Sequence, residues 1–177
     1  MPNSLDDRVC PCFTQNVTPA AASGTVIPSA DEVPTFNFHQ DSGMEKDLEY
    51  RPAPRFSMKA AYYLTDVLSE GMGNTWLVPA QHLSPHPLVK PVSGIGQPDG
   101  AIAVKVKANS CLLFDRRCWH SPTPNWSAST RIACFVGYAY RWLRPKEPMF
   151  TEPALANTTC PVTRQLLGDS CTCAGEK

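Results

Sequence analysis

Strand follows strand through the middle of this chain, with turn signals between them, and no long helical run interrupts the series. Thr35 to Asp41, Phe56 to Val67, Thr75 to Pro79, Ala101 to Val106 and Ser110 to Phe114 all read as extended segments. The run RIACFVGYAYRW, opening at Arg131, reads as a further, longer strand. β-Branched and aromatic side chains suit a pleated, half-buried surface, and AIAVKVK alternates apolar with polar residues as a strand with one buried face does. Such a succession packs most economically as two antiparallel sheets laid face to face. The expected class is therefore all-β dominated, a jelly roll with irregular ends.

Composition places boundaries around that core. Residues 1–34 are rich in Pro, Ser, Thr, Ala and Asp without periodicity, which predicts a loosely ordered lead-in with one short strand at Gly24 to Ile27. The predicted barrel runs over 35–145, and an irregular Pro/Thr-rich tail over 146–177 contains TRQLLG as its only short helical candidate. Ser42 to Arg55, charged and bounded by proline, is expected to be a loop at the border of a site, and Leu83 to Pro98 a second loop.

At 177 residues, one domain with a substantial core is expected. Lys+Arg and Asp+Glu are equal at 16 each, so no basic field exists to attract nucleic acid. No apolar run of the ~18 residues that a membrane span needs is present, and MPNSLDDRV lacks the basic-then-apolar layout of a signal peptide. The expectation is a soluble, intracellular, cytoplasmic protein without membrane or nucleic-acid partners. Its eight cysteines are then expected to be reduced. Cys111, Cys118 and Cys134 fall in strand runs and read as small buried hydrophobes. Cys10/Cys12 and Cys171/Cys173 are CxC pairs, which do not match the C-x2-4-C spacing of a zinc knuckle.

Two imidazoles and a carboxylate stand out against this background. In an extended segment residues i and i+2 project to one side, so His39 and Asp41 can reach a single metal while Gln40 points away. His120, just after the apolar run SCLLFD, can supply a third ligand from another strand. Two His and one carboxylate form the facial triad of mononuclear non-heme Fe(II) oxygenases. HxD alone is common by chance, and a lone His is more often a surface or core residue. Arg131 sharpens the pattern, because an always-charged guanidinium at the mouth of a core strand wants a carboxylate partner in bidentate geometry. The plainer alternative is a surface cation at a strand entrance.

The order HQD, then MKAAYYLTDVLSEGMGNTWLVPAQH, then SCLLFDRRCWHSPTPNWSASTR, then a strand ending YRWLRP, resembles the phytanoyl-CoA dioxygenase family of Fe(II)/2-oxoglutarate oxygenases over Phe36 to Pro145. The resemblance implies a double-stranded β-helix in which His39, Asp41 and His120 hold Fe(II) and Arg131 grips 2-oxoglutarate. It implies a dioxygenase that consumes O2, hydroxylates a small organic substrate and releases succinate and CO2. Related halogenases lack the carboxylate that Asp41 supplies here. Matched by distance from the PAQH corner, Tyr62 is expected to line the 2-oxoglutarate pocket, with core packing as the alternative. Strand parity puts it on the face of Met58, Ala60 and Leu64, opposite Lys59, Ala61, Tyr63 and Thr65. Gln40 is expected either to reach the cofactor or to hydrogen-bond and fix the ligands. Trp119 reads as packing, Asn125 as a turn former, and His82 and His86 as loop residues.

Two departures from the family stand out. Ala80 and Gln81 occupy positions where the family shows Gly-Ser, and Ala tolerates positive φ poorly, so an altered turn is expected there. The segment before HxD is also shorter than in family members. Two readings of other classes are kept: a catalytically silent jelly roll serving as an interaction module, and a cupin-like barrel binding a metal or sugar without redox chemistry. The substrate itself is not legible, since the fold serves many.

Overall fold

The computed structural model describes residues 17–27, 36–41, 54–91, 96–140 and 142–143. Among them lie β1 (Val17–Ile27), β2 (Ser57–Tyr63), β3 (Thr75–Val78), β4 (Ile102–Ala103), β5 (Cys111–Asp115), β6 (Trp119–Pro122) and β7 (Arg131–Tyr140). One sheet has the order β1-β7-β2-β5 and the other β4-β3-β6. β2 and β5 pair antiparallel from Met58↔Asp115 to Tyr62↔Cys111. β3 pairs antiparallel with β6, from Thr75↔Pro122 to Val78↔Trp119, and with β4 on its other edge. The expected all-β jelly-roll class is the one observed.

Packing follows from strand alternation. Every residue of β3 is buried, which requires cover on both faces. Leu77 joins Ala61, Tyr63, Phe114 and Ala133 in a core to which both sheets contribute, together with Val67, Val104 and Cys118. Trp76 and Val78 face the opposite way and are covered by Phe38, with Phe36, Leu88 and Trp119 packed against them. Burying each such large apolar side chain contributes about 1.5–3 kcal/mol. Ser23–Phe135 forms one compact unit, and Met1–Ala22 with Val136–Lys177 a second. All the site residues discussed below belong to the first.

Several expectations need correction. β1 starts at Val17 instead of Gly24. Thr35 to Asp41 supplies a single bridge residue, His39, within its described part, and β2 stops at Tyr63, with Val67 isolated in a bridge to Val106. β6 was not anticipated, because WHSP is short and ends in proline. The only helical element among the described residues is a 3-10 turn, Gln81–Leu83, and none is long and apolar enough to cross a membrane. Cys118 is buried as expected, whereas Cys111 is exposed. The terminal CxC pairs, TRQLLG and most of the Ser42–Arg55 loop lie outside the described residues.

Candidate metal centre

His39 and His120, far apart in sequence, are joined by their backbones. His39 N donates to His120 O at 2.9 Å and His120 N donates to His39 O at 3.0 Å. This antiparallel bridge brings the two rings to 4.4 Å between centroids. Asp41 is held beside them as its N–H donates to Arg116 O at 3.1 Å. One ligand atom from each of His39, Asp41 and His120 can be chosen so that all lie within 4.8 Å of one another, a group able to hold a metal ion.

The orientation of both rings is fixed from behind. His39 Nδ1 lies 2.8 Å from Asn37 O, and His120 Nδ1 lies 2.9 Å from Cys118 O. A carbonyl only accepts, so each Nδ1 carries the proton and each Nε2 keeps a lone pair for a metal. Both Nε2 atoms point at Asp41, His39 at 3.5 Å from Oδ1 and His120 at 3.5 Å from Oδ2. Burial works to raise the Asp41 carboxyl, but His120, His39 and Lys59 outweigh it and hold the group well below the usual carboxylate range. Asp41 raises the His39 imidazole above its ordinary value against the opposing effect of burial. Lys59 pairs with Asp41 Oδ2. That oxygen is buried and, despite its two ion-pair neighbours, accepts no well-directed hydrogen bond. A divalent cation would satisfy it.

Arg131, at the start of β7, is 2% exposed. Its Nε donates to Gly73 O at 3.1 Å and an Nη donates to Thr75 Oγ1 at 3.3 Å. The other Nη is buried with no hydrogen-bond partner. No carboxylate pairs with this guanidinium among the described residues; the Tyr63 and Phe135 rings lie 5.7 and 5.5 Å from its Cζ. Burial pulls its pKa down from the ordinary value. A buried cation with a spare donor is costly unless an anion arrives.

The remaining expected residues fall elsewhere. Tyr62 is 41% exposed, on the face of β2 turned away from the core, whereas Tyr63 is fully buried. Tyr63 OH donates to Thr75 Oγ1 at 2.9 Å, so the tyrosine beside Arg131 is Tyr63, and the placement of Tyr62 in the pocket is corrected. The face of β2 that carries Lys59, Ala61 and Tyr63 is the one packed into the core with Phe114 and Ala133, although Ala60 on the other face is buried too. Gln40 Nε2 donates to Arg117 O at 2.5 Å. Its amide ties the HxD segment to the β5–β6 turn. Asn125 is the expected turn former, its Nδ2 donating to Ile27 O at 3.0 Å and Ser129 O at 2.6 Å. Trp119 packs, with Lys90 Nζ 4.8 Å from its ring. His82 sits in the 3-10 turn and His86 in the loop beyond it.

Sequence reasoning missed Lys59, Tyr63, Thr75 and Asn74. Lys59 was detectable as the lone charge in SMKAAYY, where a strand buries a cation only beside an anion. Thr75 and Asn74 carry no comparable mark. Asn74 earns its burial through three bonds, from Met72 N and to Ser69 O and Val104 O.

A family model described as phytanoyl-CoA dioxygenase matches residues 11–133. No curated protein matches the chain. Solved structures do. HygX from Streptomyces hygroscopicus, with nickel, 2-oxoglutarate and hygromycin B bound, superposes with a TM-score of 0.56 at 17% identity, covering 75% of this chain and 59% of that one. The nickel complex of ThoJ, described as a non-heme monooxygenase, gives 0.54 at 15% identity over 80% of this chain and 55% of that one. SnoN, a non-heme alpha-ketoglutarate-dependent epimerase of nogalamycin biosynthesis, gives 0.52 at 21% over 70% and 48%. The chain thus spans between about half and three fifths of the length of these structures, and at such identities the likeness is one of fold.

Proposed function

Since the chain belongs to the phytanoyl-CoA dioxygenase family, we propose that it is a non-heme Fe(II)/2-oxoglutarate-dependent dioxygenase that hydroxylates a small organic substrate. The observation that carries this reading is Arg131, a guanidinium 2% exposed with an unpartnered Nη. Its fixed fork suits the distal carboxylate of 2-oxoglutarate, which would end the cost of burying it alone. The reading is supported by HygX, whose structure holds nickel and 2-oxoglutarate.

His39 Nε2, His120 Nε2 and an Asp41 oxygen are the atoms proposed to hold the iron, and the set leaves one face open for cosubstrate and O2. Bound iron with 2-oxoglutarate and O2 would supply the oxidising chemistry: 2-oxoglutarate loses CO2 to become succinate while the substrate C–H becomes C–OH. The chain's own contribution is orientation and shelter. The carbonyls of Asn37 and Cys118 keep the imidazoles in the ligating tautomer. Phe114, whose ring lies 5.2 Å from that of His120, walls the centre against water. Thr75 and Gly73 aim Arg131.

Anaerobic titration of purified protein with Fe(II) and 2-oxoglutarate tests the reading through the weak visible charge-transfer band of the chelate. The band is expected in the wild type and absent or much weakened in His120→Ala and Arg131→Ala. Succinate release in a substrate screen, with mass analysis of product, then separates hydroxylation from epimerisation, the activity of SnoN. A folded wild type without the band would return the chain to the silent jelly-roll reading.

A further inference from the structure

Lys59 is not used by the proposed reaction, yet its Nζ pairs with Asp41 Oδ2, the carboxylate oxygen that also faces His120 Nε2 at 3.5 Å. The pair is well shielded, with the Lys59 side chain 20% exposed and that of Asp41 16%. The ammonium is held on one side by β2 and flanked by the Phe114 and Phe135 rings, whose centroids lie 6.0 and 5.4 Å from Nζ. On the same face of β2 the next inward residue is Ala61, fully buried, so no bulkier neighbour separates the lysine from the core. Lysine is a compact, movable point charge on a flexible stem, unlike arginine with its fixed fork.

A carboxylate oxygen paired with a monovalent ammonium presents the same lone pairs that a divalent metal needs. From this we infer that Lys59 is a built-in competitor of the metal: it neutralises Asp41 in the metal-free protein, keeps the triad assembled, and is displaced from the carboxylate when metal binds. The inference rests on the metal-centre reading above and adds to it a residue that sets the affinity of the site. Two effects oppose metal at this position, the ion pair that must break and the repulsion between the displaced ammonium and a dication in a poorly solvated pocket. A lysine that merely braced the fold would contribute equally with and without metal. A competitor contributes only without it.

Mn(II) is the probe of choice, since the thiols among the chain's eight cysteines prefer softer metals. Free Mn(II), read by electron paramagnetic resonance, gives the affinity of the full-length wild type, Lys59→Met, Lys59→Gln, Lys59→Arg and His120→Ala. Thermal unfolding with and without Mn(II) gives a second readout. Lys59→Met is expected to bind Mn(II) at least tenfold more tightly than wild type, and Lys59→Arg to return most of the way to wild type. Metal-free Lys59→Met should unfold at a lower temperature than wild type, and its gain on adding Mn(II) should be larger. Lys59→Gln carries the same comparison if Met disturbs the packing. Unchanged or weaker binding in both neutral variants, or an equal loss of thermal stability with and without metal, overturns the competitor role while leaving the metal centre standing. A wild type that binds no Mn(II), or a His120→Ala protein that binds as well as wild type, overturns the metal centre and the inference with it.

Discussion

The backbones of His39 and His120 exchange two hydrogen bonds, at 2.9 and 3.0 Å, so the first and last candidate ligands are paired residues of one short bridge. His120 in turn pairs with Leu77 in β3. The centre is therefore tied to a strand whose every residue is buried, and not to a surface loop. Positions set this way by backbone register need little rearrangement to accept a metal, which is the condition for tight, specific ligation.

Ala80 adopts φ 60°, ψ −10° at the corner after β3. An altered turn was the expectation at this alanine, and the structure places Ala80 itself in the left-handed conformation that glycine favours, so alanine bears the strain. An L-residue there costs roughly 1–2 kcal/mol, partly offset by the about 0.4–1 kcal/mol that glycine loses through its freer unfolded chain. Ala80→Gly is expected to raise stability by about 0.5–1 kcal/mol. Denaturant midpoints check this; a lower midpoint would show that the corner is not strained.

How much of this was legible follows from what each residue's role depends on. His39, Asp41, His120 and Arg131 stood out because two imidazoles, a carboxylate and a cation heading an apolar strand have few common explanations. Tyr63 and Thr75 depend on which face of β2 turns inward and on which strand lies opposite. Parity divides β2 into two faces without saying which is inner, and distance from the PAQH corner does not decide it either. β6 escaped because its four residues become a strand only through pairing with β3. The register that decides such matters is a property of the whole sheet and is not written in any single segment.

Asp115 and Arg117 form a two-pronged pair, Nε to Oδ1 at 2.9 Å and Nη2 to Oδ2 at 2.6 Å, beside the turn that carries Gln40's acceptor. Burial tends to raise the Asp115 carboxyl, but the bonds from Arg117 outweigh it and lower its pKa. A group depressed in the folded state stabilises above its unfolded value, about 3.9 for Asp, and that contribution is lost as pH falls through the folded value. The stability gap between wild type and Asp115→Asn should therefore be widest near neutrality and close progressively once the pH drops below about 4. Urea unfolding at a series of pH values measures it. A gap that stays constant into acid would mean that the pair contributes through packing alone.

Gly73 combines a forced backbone with close quarters. Its φ is +67°, a side-chain Cβ would meet Asn125 Cβ at 3.3 Å and Arg131 Cβ at 3.5 Å, and its carbonyl accepts from Arg131 Nε. Gly73→Ala is expected to lose ~1–2 kcal/mol of stability to left-handed strain plus a further packing cost, and to weaken 2-oxoglutarate binding by moving Arg131. Gly100 provides the control, with φ +77° and nothing within 4 Å of an added Cβ. Gly100→Ala should show the backbone strain alone and leave the charge-transfer titration unchanged. Equal effects of the two substitutions on 2-oxoglutarate binding would dissociate Gly73 from the aim of Arg131.

Arg131 poses the sharpest conflict between folding and function. Its guanidinium is buried with one Nη unpartnered and no carboxylate beside it among the described residues. Methionine has similar length, no charge to desolvate and enough flexibility to fill the space between Tyr63 and Phe135. The loss of bonds to Gly73 O and Thr75 Oγ1 counts against the substitution, although Thr75 Oγ1 still receives Tyr63 OH. Replacing even a buried ion pair by apolar side chains of similar volume is often neutral or stabilising by about 1–4 kcal/mol, and Arg131 bears its desolvation cost with no carboxylate beside it among the described residues. Arg131→Met should therefore fold at least as stably as wild type in the absence of 2-oxoglutarate. Its 2-oxoglutarate affinity should fall by about a hundredfold or more, in keeping with the 2–5 kcal/mol lost when one partner of a buried hydrogen-bonded charge pair is truncated. Denaturant unfolding without ligand and charge-transfer titration with it read the two effects separately. A variant that is several kcal/mol less stable without ligand would mean that Arg131 is held for the fold, and that its unpartnered Nη is not a binding device.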